Sequence, residues 1–352
     1  MKITLGEVGT YINGYAFKPS DWGTSGLPII RIQNLTNQNT EPNYFDGPYN
    51  SKFEVNKGDI LIAWSGSLGI HIWQKNKALL NQHIFRVEFN KCDIDKMYFY
   101  YAVKYNIHKM LHLTHGATMR HIIKSDFEQI IIPYPRLEAQ AKISKVLNYL
   151  DQNIINYRNI LINLELLIKS RFVELFGDPN IVESNKCVKF SSIAKIITGN
   201  TPSRKSPEYY GDYIEWIKSD NIVSTDLYIS QAKEFLSEQG AVRGRVAPKG
   251  SLLMTCIAGS IRSIGNVGFC DRPVAFNQQI NAIILENDIN PLYVYWLLKL
   301  FKPSIIANVE MSLKGIISKS QLENMFIPIV VSSKEQDLFA EFVLQINKLK
   351  FA

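Results

Sequence analysis

The sequence predicts an α+β protein in which two similar globular domains, related by a pseudo-two-fold internal repeat, are separated by long antiparallel coiled-coil helices. Three observations predict it. Landmarks recur in the same order in both halves, a segment with helical periodicity lies between the halves, and a shorter helical segment follows the second half. The length of 352 residues also exceeds one ordinary domain and suits two.

The repeat is visible as pairs of matching residues. They are Gly14 and Gly199, Asn34 and Asn221, Gly58 and Gly250, Gly66 and Gly259, Asn81 and Asn277, Tyr98 and Tyr293, Lys124 and Lys319, Ile132 and Ile327, and Gln140 and Gln336. The offset rises slowly from 185 (199 − 14) to 196 (336 − 140), as loop insertions in one copy would produce. The period is far too long for a solenoid, so one unit, a globular domain followed by a helix, occurs twice.

Short apolar runs and helical patterns predict the elements of each unit. IIRI (29–32) and DILIAW (59–64) are predicted strands, because they are apolar and bounded by Gly, Pro or Asn. Residues 95–113 and 291–300 carry a helical pattern. IIIP and MFIP are predicted closing strands, each stopped by proline.

A heptad pattern over residues 137–176 predicts one long helix between the copies. Its apolar seam steps alternately by four and three and consists of Ile143, Leu147, Leu150, Ile154, Tyr157, Leu161, Leu164 and Ile168. No Gly or Pro interrupts the run, and Gly177 and Pro179 follow its end. At 1.5 Å per residue the helix is about 55–60 Å long, so it extends beyond a globular domain and needs a partner helix.

The partner helix is predicted at residues 332–352. Ser332 with Glu335, or Ser333 with Gln336, forms a capping box. The apolar seam of this helix is Phe339, Phe342, Ile346 and Leu349. An antiparallel pair would hold the two domains at a fixed distance; the alternative is a long helix in the core of a larger bundle. The second helix has about half the length of the first, which leaves open whether another chain covers the remainder and favours self-association through an exposed seam.

Composition narrows the partner and the compartment. The net charge of +7 and the pI near 9.0 favour a polyanionic partner. The four cysteines form no CxxC pair, which favours a reducing compartment over a zinc or redox site. The first ten residues lack the apolar run of a signal peptide, and the apolar stretch at 325–331 is too short to cross a bilayer. We therefore expect a cytoplasmic protein that is not associated with a membrane.

The whole chain resembles the specificity subunits of Type I restriction-modification enzymes. The resemblance rests on the order domain, helix, domain, helix, on KGDIL and KGSLL with the glycine-serine loops after them, on IIIPYPRLEAQAKISKVL, and on SRFVELFGDP. It implies that residues 1–135 and 177–331 are target recognition domains and that residues 136–176 and 332–352 are spacer helices. The implied partners are double-stranded DNA with a bipartite site, two methyltransferase subunits and the restriction-translocase subunits.

The resemblance also implies that this chain is not itself an enzyme. S-adenosylmethionine, ATP and Mg are then expected on the partner subunits, and no cofactor or metal is expected here. The sequence agrees, because it contains no GxxxxGK[ST] loop, no GxGxxG after a strand and no GxSxG elbow. Two other functions stay open: an unrecognised nuclease or methyltransferase, and a shortened self-associating DNA-binding protein that acts without methyltransferase partners.

Candidate DNA contacts are polar and basic residues in the loops that follow the landmarks. Phosphates take Lys, Arg, Ser and backbone amides, whereas guanine takes Arg or Lys and adenine takes Asn or Gln. The candidates in the first half are Lys18, Arg31, Asn34, Ser65, Ser67 and Arg120. Those in the second half are Asn200, Arg204, Lys205, Lys218, Arg243, Arg245, Ser260, Arg262 and Lys314. The alternative for any single one is a solvated surface charge.

Other residue patterns have mainly structural interpretations. Asn81-Gln82 recurs as Asn277-Gln278, which predicts a shared structural role, because two recognition domains should read different bases. All six histidines lie in the first half, and His108 and His112 have the spacing of a helical metal pair. Without a third ligand nearby, a DNA-facing or surface role is favoured for them. The tryptophans of the first half are candidates for stacking on bases, although aromatic side chains more often belong to a core.

Overall fold

The computed structural model describes residues 1–37, 39–112, 121–181, 187–286, 288–307, 310–311, 315–329 and 332–350, with the backbone alone for 108–112 and 310–311. The chain divides into two compact units, Met1–Tyr157 and Arg158–Ala352. The division falls inside one continuous helix.

The described residues of the first unit form two four-stranded sheets and a strand pair. Its elements are β1 (Lys2–Thr4), α1 (Leu5–Val8), β2 (Thr10–Asn13), β3 (Leu27–Ile30), α2 (Ile32–Thr36), β4 (Asn43–Phe45), β5 (Glu54–Val55), β6 (Ile60–Ala63), β7 (Gly69–Ile72), β8 (Ala78–Leu80), β9 (Ile84–Glu88), α3 (Lys96–His112), α4 (Lys124–Glu128), β10 (Ile131–Pro133) and the first half of α5 (Leu137–Phe176). One sheet has the order β2-β9-β6-β7 and is antiparallel throughout. The other has the order β4-β3-β8-β5, with β3 and β8 parallel, and β1 pairs with β10.

The second unit repeats this plan. Its elements are the second half of α5, β11 (Val188–Lys189), β12 (Ala194–Thr198), β13 (Tyr210–Gly211), β14 (Ile214–Ile217), β15 (Phe235–Leu236), α6 (Glu238–Arg243), β16 (Val246–Ala247), β17 (Leu252–Thr255), β18 (Ile257–Ala258), β19 (Val267–Phe269), β20 (Val274–Phe276), β21 (Ile280–Leu285), α7 (Pro291–Ala307), β22 (Glu310–Met311), β23 (Gly315–Ile316), α8 (Lys319–Asn324), β24 (Phe326–Ile327) and α9 (Ser333–Leu349). Its main sheets have the orders β12-β21-β17-β19 and β13-β15-β14-β20-β16. β11 pairs with β24, and β18, β23 and β22 form a further small sheet.

The main sheets and the terminal strand pair of the first unit recur in the second unit, which also has additional strands. The antiparallel sheet β12-β21-β17-β19 repeats β2-β9-β6-β7, and the parallel pair β14 and β20 repeats β3 and β8. The terminal pair β11 and β24 repeats β1 and β10. The predicted α+β class and internal repeat are confirmed.

One inner strand of each antiparallel sheet, β6 in the first unit and β17 in the second, is buried at every position because it contributes to two cores. Successive side chains of a strand face opposite sides. Ile60 and Ile62 of β6 face a core that includes Phe99 of α3, whereas Leu61 faces a second core that includes Trp73. β17 is divided between two cores in the same alternating way. The continuous apolar runs in KGDIL and KGSLL therefore reflect burial on both faces of the sheet.

Two differences in extent between predicted and observed elements have a structural cause. The strand predicted over IIRI ends at Ile30, and α2 begins at Ile32, because Asn34 Oδ1 accepts a hydrogen bond from Arg31 N at 3.0 Å and turns the chain. The helix predicted over 291–300 continues to Ala307 through Pro303. Its added turn buries Ile305 completely, and this apolar burial outweighs the backbone hydrogen bond that proline lacks.

One buried glutamine fixes the start of the helix that follows each domain. Gln140, in the first turn of α5, accepts a hydrogen bond from Asp95 N at 2.9 Å and donates one to Pro135 O at 2.8 Å. Gln336, in the first turn of α9, accepts a hydrogen bond from Asn290 N at 2.9 Å. The backbone amides of Asp95 and Asn290 lie just before α3 and α7, respectively. Gln140 therefore joins α5 to the start of α3, and Gln336 joins α9 to the start of α7 in the equivalent way.

Candidate nucleic-acid interface

The recurring Asn-Gly pair brings two loops of each unit into contact. A Cβ on Gly14 would lie 2.0 Å from Asn81 O, and one on Gly199 would lie 2.1 Å from Asn277 O. Only glycine permits this close approach of two backbones. The loop after β2 is thereby held against the loop after β8, and the loop after β12 is held against the loop after β20.

In the second unit this junction collects several of the predicted DNA contacts. Asn200 donates from Nδ2 to Arg243 O at 2.8 Å and accepts from Arg245 N at 2.9 Å. Thr201 donates to Gln278 Oε1. The side chains of Arg243 and Arg245 are exposed, and no ion pair joins either one to an acidic group among the described residues. Asn200 therefore positions the backbone that carries both guanidinium groups.

Two other predicted cations of the second unit are held by one carboxylate. Arg204 Nη2 lies 2.6 Å from Glu234 Oε2, and Lys218 donates to Glu234 Oε1. The pKa of Glu234 is lowered, first by the hydrogen bond from Lys218 and then by the one from Arg204. Arg204 also lies over the rings of Tyr210 and Trp216. Both cations are thus engaged within the unit, and any DNA contact would compete with Glu234.

Three of the four remaining candidates of the second unit are exposed. Lys205 is exposed and lies one residue beyond Arg204. Ser260 and Arg262 occupy the exposed turn after β18, where Arg262 N donates to Ser260 Oγ at 3.3 Å and Arg262 O accepts from Lys302 Nζ at 2.7 Å. Lys314 lies outside the described residues.

Two of the predicted DNA contacts in the first unit, Asn34 and Ser65, have buried side chains, and so has Asn221, the residue that matches Asn34 in the second unit. Asn34 is 8% exposed, caps Arg31 N and donates to Thr40 O at 3.1 Å. Asn221 repeats this cap on Lys218 N at 3.0 Å. Ser65 is 2% exposed, and its backbone forms a bridge with His121. We correct the expectation for Asn34 and Ser65, because their side chains are committed to the interior of the fold.

The other candidates of the first unit remain at the surface or lie outside the described part. Lys18 is exposed at the start of a short turn, where its backbone N donates to Asp21 Oδ2 at 2.7 Å. The guanidinium of Arg31 lies 4.6 Å from the ring centroid of Trp22 and donates to Asn43 Oδ1 at 3.2 Å. Ser67 is exposed in the loop between β6 and β7. Arg120 lies outside the described residues.

A histidine-tryptophan cluster lies in the first unit where the loop after β6 meets the loop between β8 and β9. Trp64 donates from Nε1 to Asn13 Oδ1 at 3.2 Å, and its ring contacts His83 and Phe85. His83 has a positive φ of 72°. Burial lowers the pKa of His83, and the nearby His121 lowers it further. Both effects favour the neutral imidazole of His83, which packs against the Trp64 ring.

The long helix carries a second candidate surface. Along its predicted seam, Ile143, Leu150, Ile154, Tyr157 and Leu161 are exposed, Leu147 and Leu164 are half-buried, and Ile168 is buried. The seam is thus covered only near the end of α5.

The covering there comes from α9. Phe172 of α5 meets the ring of Phe339 at 5.3 Å, and the buried apolar side chains of α9 are Phe339, Ala340, Val343 and Ile346. The buried face therefore runs through Val343, while the predicted seam residue Phe342 is half-buried and Leu349 is exposed. Leu161 and Glu165 line the same groove as Asn347 and Lys350, so α9 runs antiparallel to this part of α5.

The recurrence of both domains decides the family. A family model described as the Type I restriction modification DNA specificity domain matches residues 1–166 and again residues 183–351. The chain belongs to this family. The predicted resemblance to the specificity subunits of Type I restriction-modification systems is therefore confirmed.

Known members of the specificity-domain family show how far the similarity extends. The EcoBI specificity subunit of Escherichia coli is 28% identical over 152 residues, which is 43% of this chain but only 32% of that protein. The MjaVIII specificity subunit of Methanocaldococcus jannaschii is 25% identical over 322 residues, 85% of this chain and 75% of that protein. The crystal structure of the S subunit of a Type I system from M. genitalium superposes with a TM-score of 0.62 at 16% identity, covering 99% of this chain and 90% of that one.

The described residues contain no group of three or more His, Cys, Asp or Glu side chains arranged to hold a metal ion. The side chains of His108 and His112 lie outside the described part. Within that part, no helix combines the length and apolar character needed to cross a bilayer.

Sequence reasoning missed residues that occupy the loop junction of the first unit. Tyr15 corresponds to Asn200 at the offset of 185, and Phe53 corresponds to Arg245 at the offset of 192 shown by Gly58 and Gly250. The rings of Tyr15 and Phe53 lie 5.6 Å apart, where the second unit has the hydrogen bond between Asn200 and Arg245. Applying the repeat offset to the basic candidates of the second half would have pointed to both aromatic residues.

Proposed function

We propose that the chain is a non-catalytic specificity subunit that recognises a bipartite DNA site and positions methyltransferase subunits for adenine methylation. One observation carries the proposal: the same loop junction recurs in both units but bears different side chains. Tyr15 and Phe53 occupy it in the first unit, and Asn200 and Arg245 occupy it in the second. A shared framework with divergent surface chemistry suits two readers of different half-sites.

The proposed division of labour follows the predicted domain limits. Residues 1–135 and 177–331 would recognise DNA, and residues 136–176 and 332–352 would act as spacer and docking helices. Arg243 and Arg245 are the leading contacts, since they are exposed, basic and fixed by Asn200. Lys18, Ser67, Lys205, Ser260 and Arg262 would add phosphate contacts.

The exposed apolar side chains of α5 support docking of a protein partner. Ile154 is 48% exposed and Tyr157 is 68% exposed, and exposed apolar stripes of this kind mark interaction surfaces. We propose that two methyltransferase subunits dock on the helices, that restriction-translocase subunits join them, and that S-adenosylmethionine, ATP and Mg are bound by those partners.

Co-expression with the cognate methyltransferase subunit tests the proposal. We expect single-molecule sequencing to find modified adenine in a split motif only when both proteins are present. Replacing Arg243 and Arg245 together by Ala should relax or abolish recognition of one half of the motif and leave the other half intact. Lys189→Ala is the matched control, because Lys189 is an exposed cation of the same unit on β11. Equal loss of both half-sites in the arginine variant would contradict independent reading by the two domains.

The exposed stripe on α5 also favours a second candidate, a self-associating DNA-binding protein without methyltransferase partners. Light scattering of the purified chain separates the two. A dimer that Ile154→Asp converts to monomer, together with no co-purification of the methyltransferase subunit, would favour self-association. A monomer that co-purifies with the methyltransferase subunit would favour the first proposal.

A further inference from the structure

A pocket of about 420 Å³ in the first unit has aromatic walls. Its aromatic lining consists of Tyr15, Phe17, Phe45, Tyr49 and Phe53. Phe17 is buried, but Tyr15 is 48% exposed and Tyr49 is 39% exposed, so the aromatic surface is open to a ligand. A planar ligand therefore meets ring faces and edges that are already in place, because Tyr15 packs edge-on against Phe17 with ring centroids 5.0 Å apart.

The polar groups of the pocket suit a planar heterocycle. Asp21 lines it and has carboxylate oxygens that accept hydrogen bonds. Asn50 lines it too, and because Asn50 Oδ1 accepts from Lys52 N at 3.0 Å, its amide nitrogen is the group left to donate. An acceptor and a donor beside stacked aromatic rings match the hydrogen-bonding edge of a nucleobase.

Two cations flank the pocket. Lys18 is exposed and adjoins the turn that presents Asp21. Lys52 is exposed, and its Nζ lies 4.8 Å from the ring centroid of Phe53. A nucleotide whose base entered the pocket would carry its phosphates past ammonium groups, which is the charge arrangement that single-strand binding sites use.

The pocket occupies the loop junction at which the repeats diverge. Tyr15 and Phe17 stand where the second repeat has Asn200 and Pro202, so the aromatic walls are particular to the first domain. A core role alone does not account for Tyr15 and Tyr49, because both rings stay substantially exposed.

We propose that this pocket binds one unpaired nucleobase of a DNA strand, stacked against Tyr15 and Tyr49, in the first domain only. The inference rests on the proposed DNA-binding function and adds to it a site for a base that has left the duplex. Stacking on aromatic side chains contributes about 1–3 kcal/mol per base, which corresponds to about 5- to 150-fold in affinity.

Fluorescence anisotropy of the full chain with three labelled duplexes tests the proposal. One duplex contains a single unpaired thymine, one has an abasic residue at that position, and one is fully paired. We expect the thymine duplex to bind at least fivefold more tightly than the abasic one. Tyr15→Ala and Tyr49→Ala should remove this preference. Tyr105→Ala is the control and should keep it, because Tyr105 is 78% exposed on α3 and does not line the pocket.

Each outcome decides between the pocket and the wider function. Equal binding of the thymine and abasic duplexes, or a preference that survives in Tyr15→Ala with an unchanged thermal transition, would overturn the nucleobase site while leaving DNA binding intact. Failure of all three duplexes to bind would instead overturn the proposed function itself. Excess thymidine monophosphate should abolish the preference without displacing the paired duplex. If it displaced both equally, its action would lie at a phosphate site and the pocket proposal would fail.

Discussion

Removing the Gln140 side chain should free the start of α5 from its own domain. Gln140 is fully buried and forms hydrogen bonds to Asp95 N at 2.9 Å and Pro135 O at 2.8 Å. Gln140→Ala leaves both backbone groups without this partner. An unsatisfied buried group costs about 1–3 kcal/mol, and two partly buried ones should cost about 2–4 kcal/mol together.

Amide hydrogen exchange on the full chain is the suitable assay, because a chain with two compact units has no single free energy of unfolding. A cost of 2–4 kcal/mol corresponds to about 30- to 900-fold faster exchange at the Asp95 amide and in the first turns of α5. Gln152→Ala is the matched control: Gln152 lies exposed on the same helix, and its loss should change stability by less than about 0.5 kcal/mol.

Gln336 should have the same anchoring role in the second unit. Gln336→Ala should accelerate exchange at Asn290 and in α9, while leaving Asp95 protected as in the wild type. Unchanged exchange at Asp95 in Gln140→Ala, or equal acceleration at Asn290 and Asp95 in either variant, would refute the idea that each glutamine anchors the helix of its own unit.

Three further predictions concern charge and the helix surface. Arg272→Leu should destabilise the second unit by about 2 kcal/mol at neutral pH, since Arg272 makes a two-point ion pair with Glu215 at 2.6 and 2.8 Å. The hydrogen bond from Arg272 lowers the pKa of Glu215 from its usual 4.5, so the destabilisation should be fully present above pH 4.5 and shrink as pH falls through the lowered pKa. Amide hydrogen exchange in the second unit, measured at several pH values, tests this; a destabilisation that does not shrink at low pH would contradict the pairing. Glu234→Gln should release the two cations that this carboxylate holds, giving tighter DNA binding with a steeper salt dependence in anisotropy titrations; an identical salt slope would mean that neither cation faces DNA. Ile154→Asp should leave the circular dichroism spectrum unchanged, because the side chain is 48% exposed, yet should reduce co-purification of the methyltransferase subunit; normal co-purification would place docking elsewhere.

The architecture was predictable because it rests on patterns that span many residues. The helix predicted over 137–176 is observed as Leu137–Phe176, because a long heptad pattern without Gly or Pro favours one continuous helix. The repeated landmarks Gly14, Asn81 and Gln140 mark close backbone contacts and buried hydrogen bonds that both units need. The same residue types recur in both units at these positions because few other side chains could make these contacts.

The candidate interface was less predictable because exposure and pairing depend on residues distant in sequence. Asn34 and Ser65 have the polarity of DNA contacts, yet both are buried. Lys218 has the charge of a phosphate contact, yet it pairs with Glu234, 16 residues further along the chain. Local composition does not reveal which cation finds an acidic partner.

The sequence by itself determined the duplicated α+β plan, the two long helices and the family resemblance. These follow from periodicity, spacing and repeated motifs, which are properties of the linear chain. Only the tertiary structure decided which side of α5 is covered by α9, that Asn200 positions Arg243 and Arg245, and that Tyr15 and Phe53 meet at the corresponding junction. The physical reason is that burial and hydrogen bonding depend on residues that are distant in sequence and that the fold brings together. The sequence around a given residue does not show which distant residues it will contact.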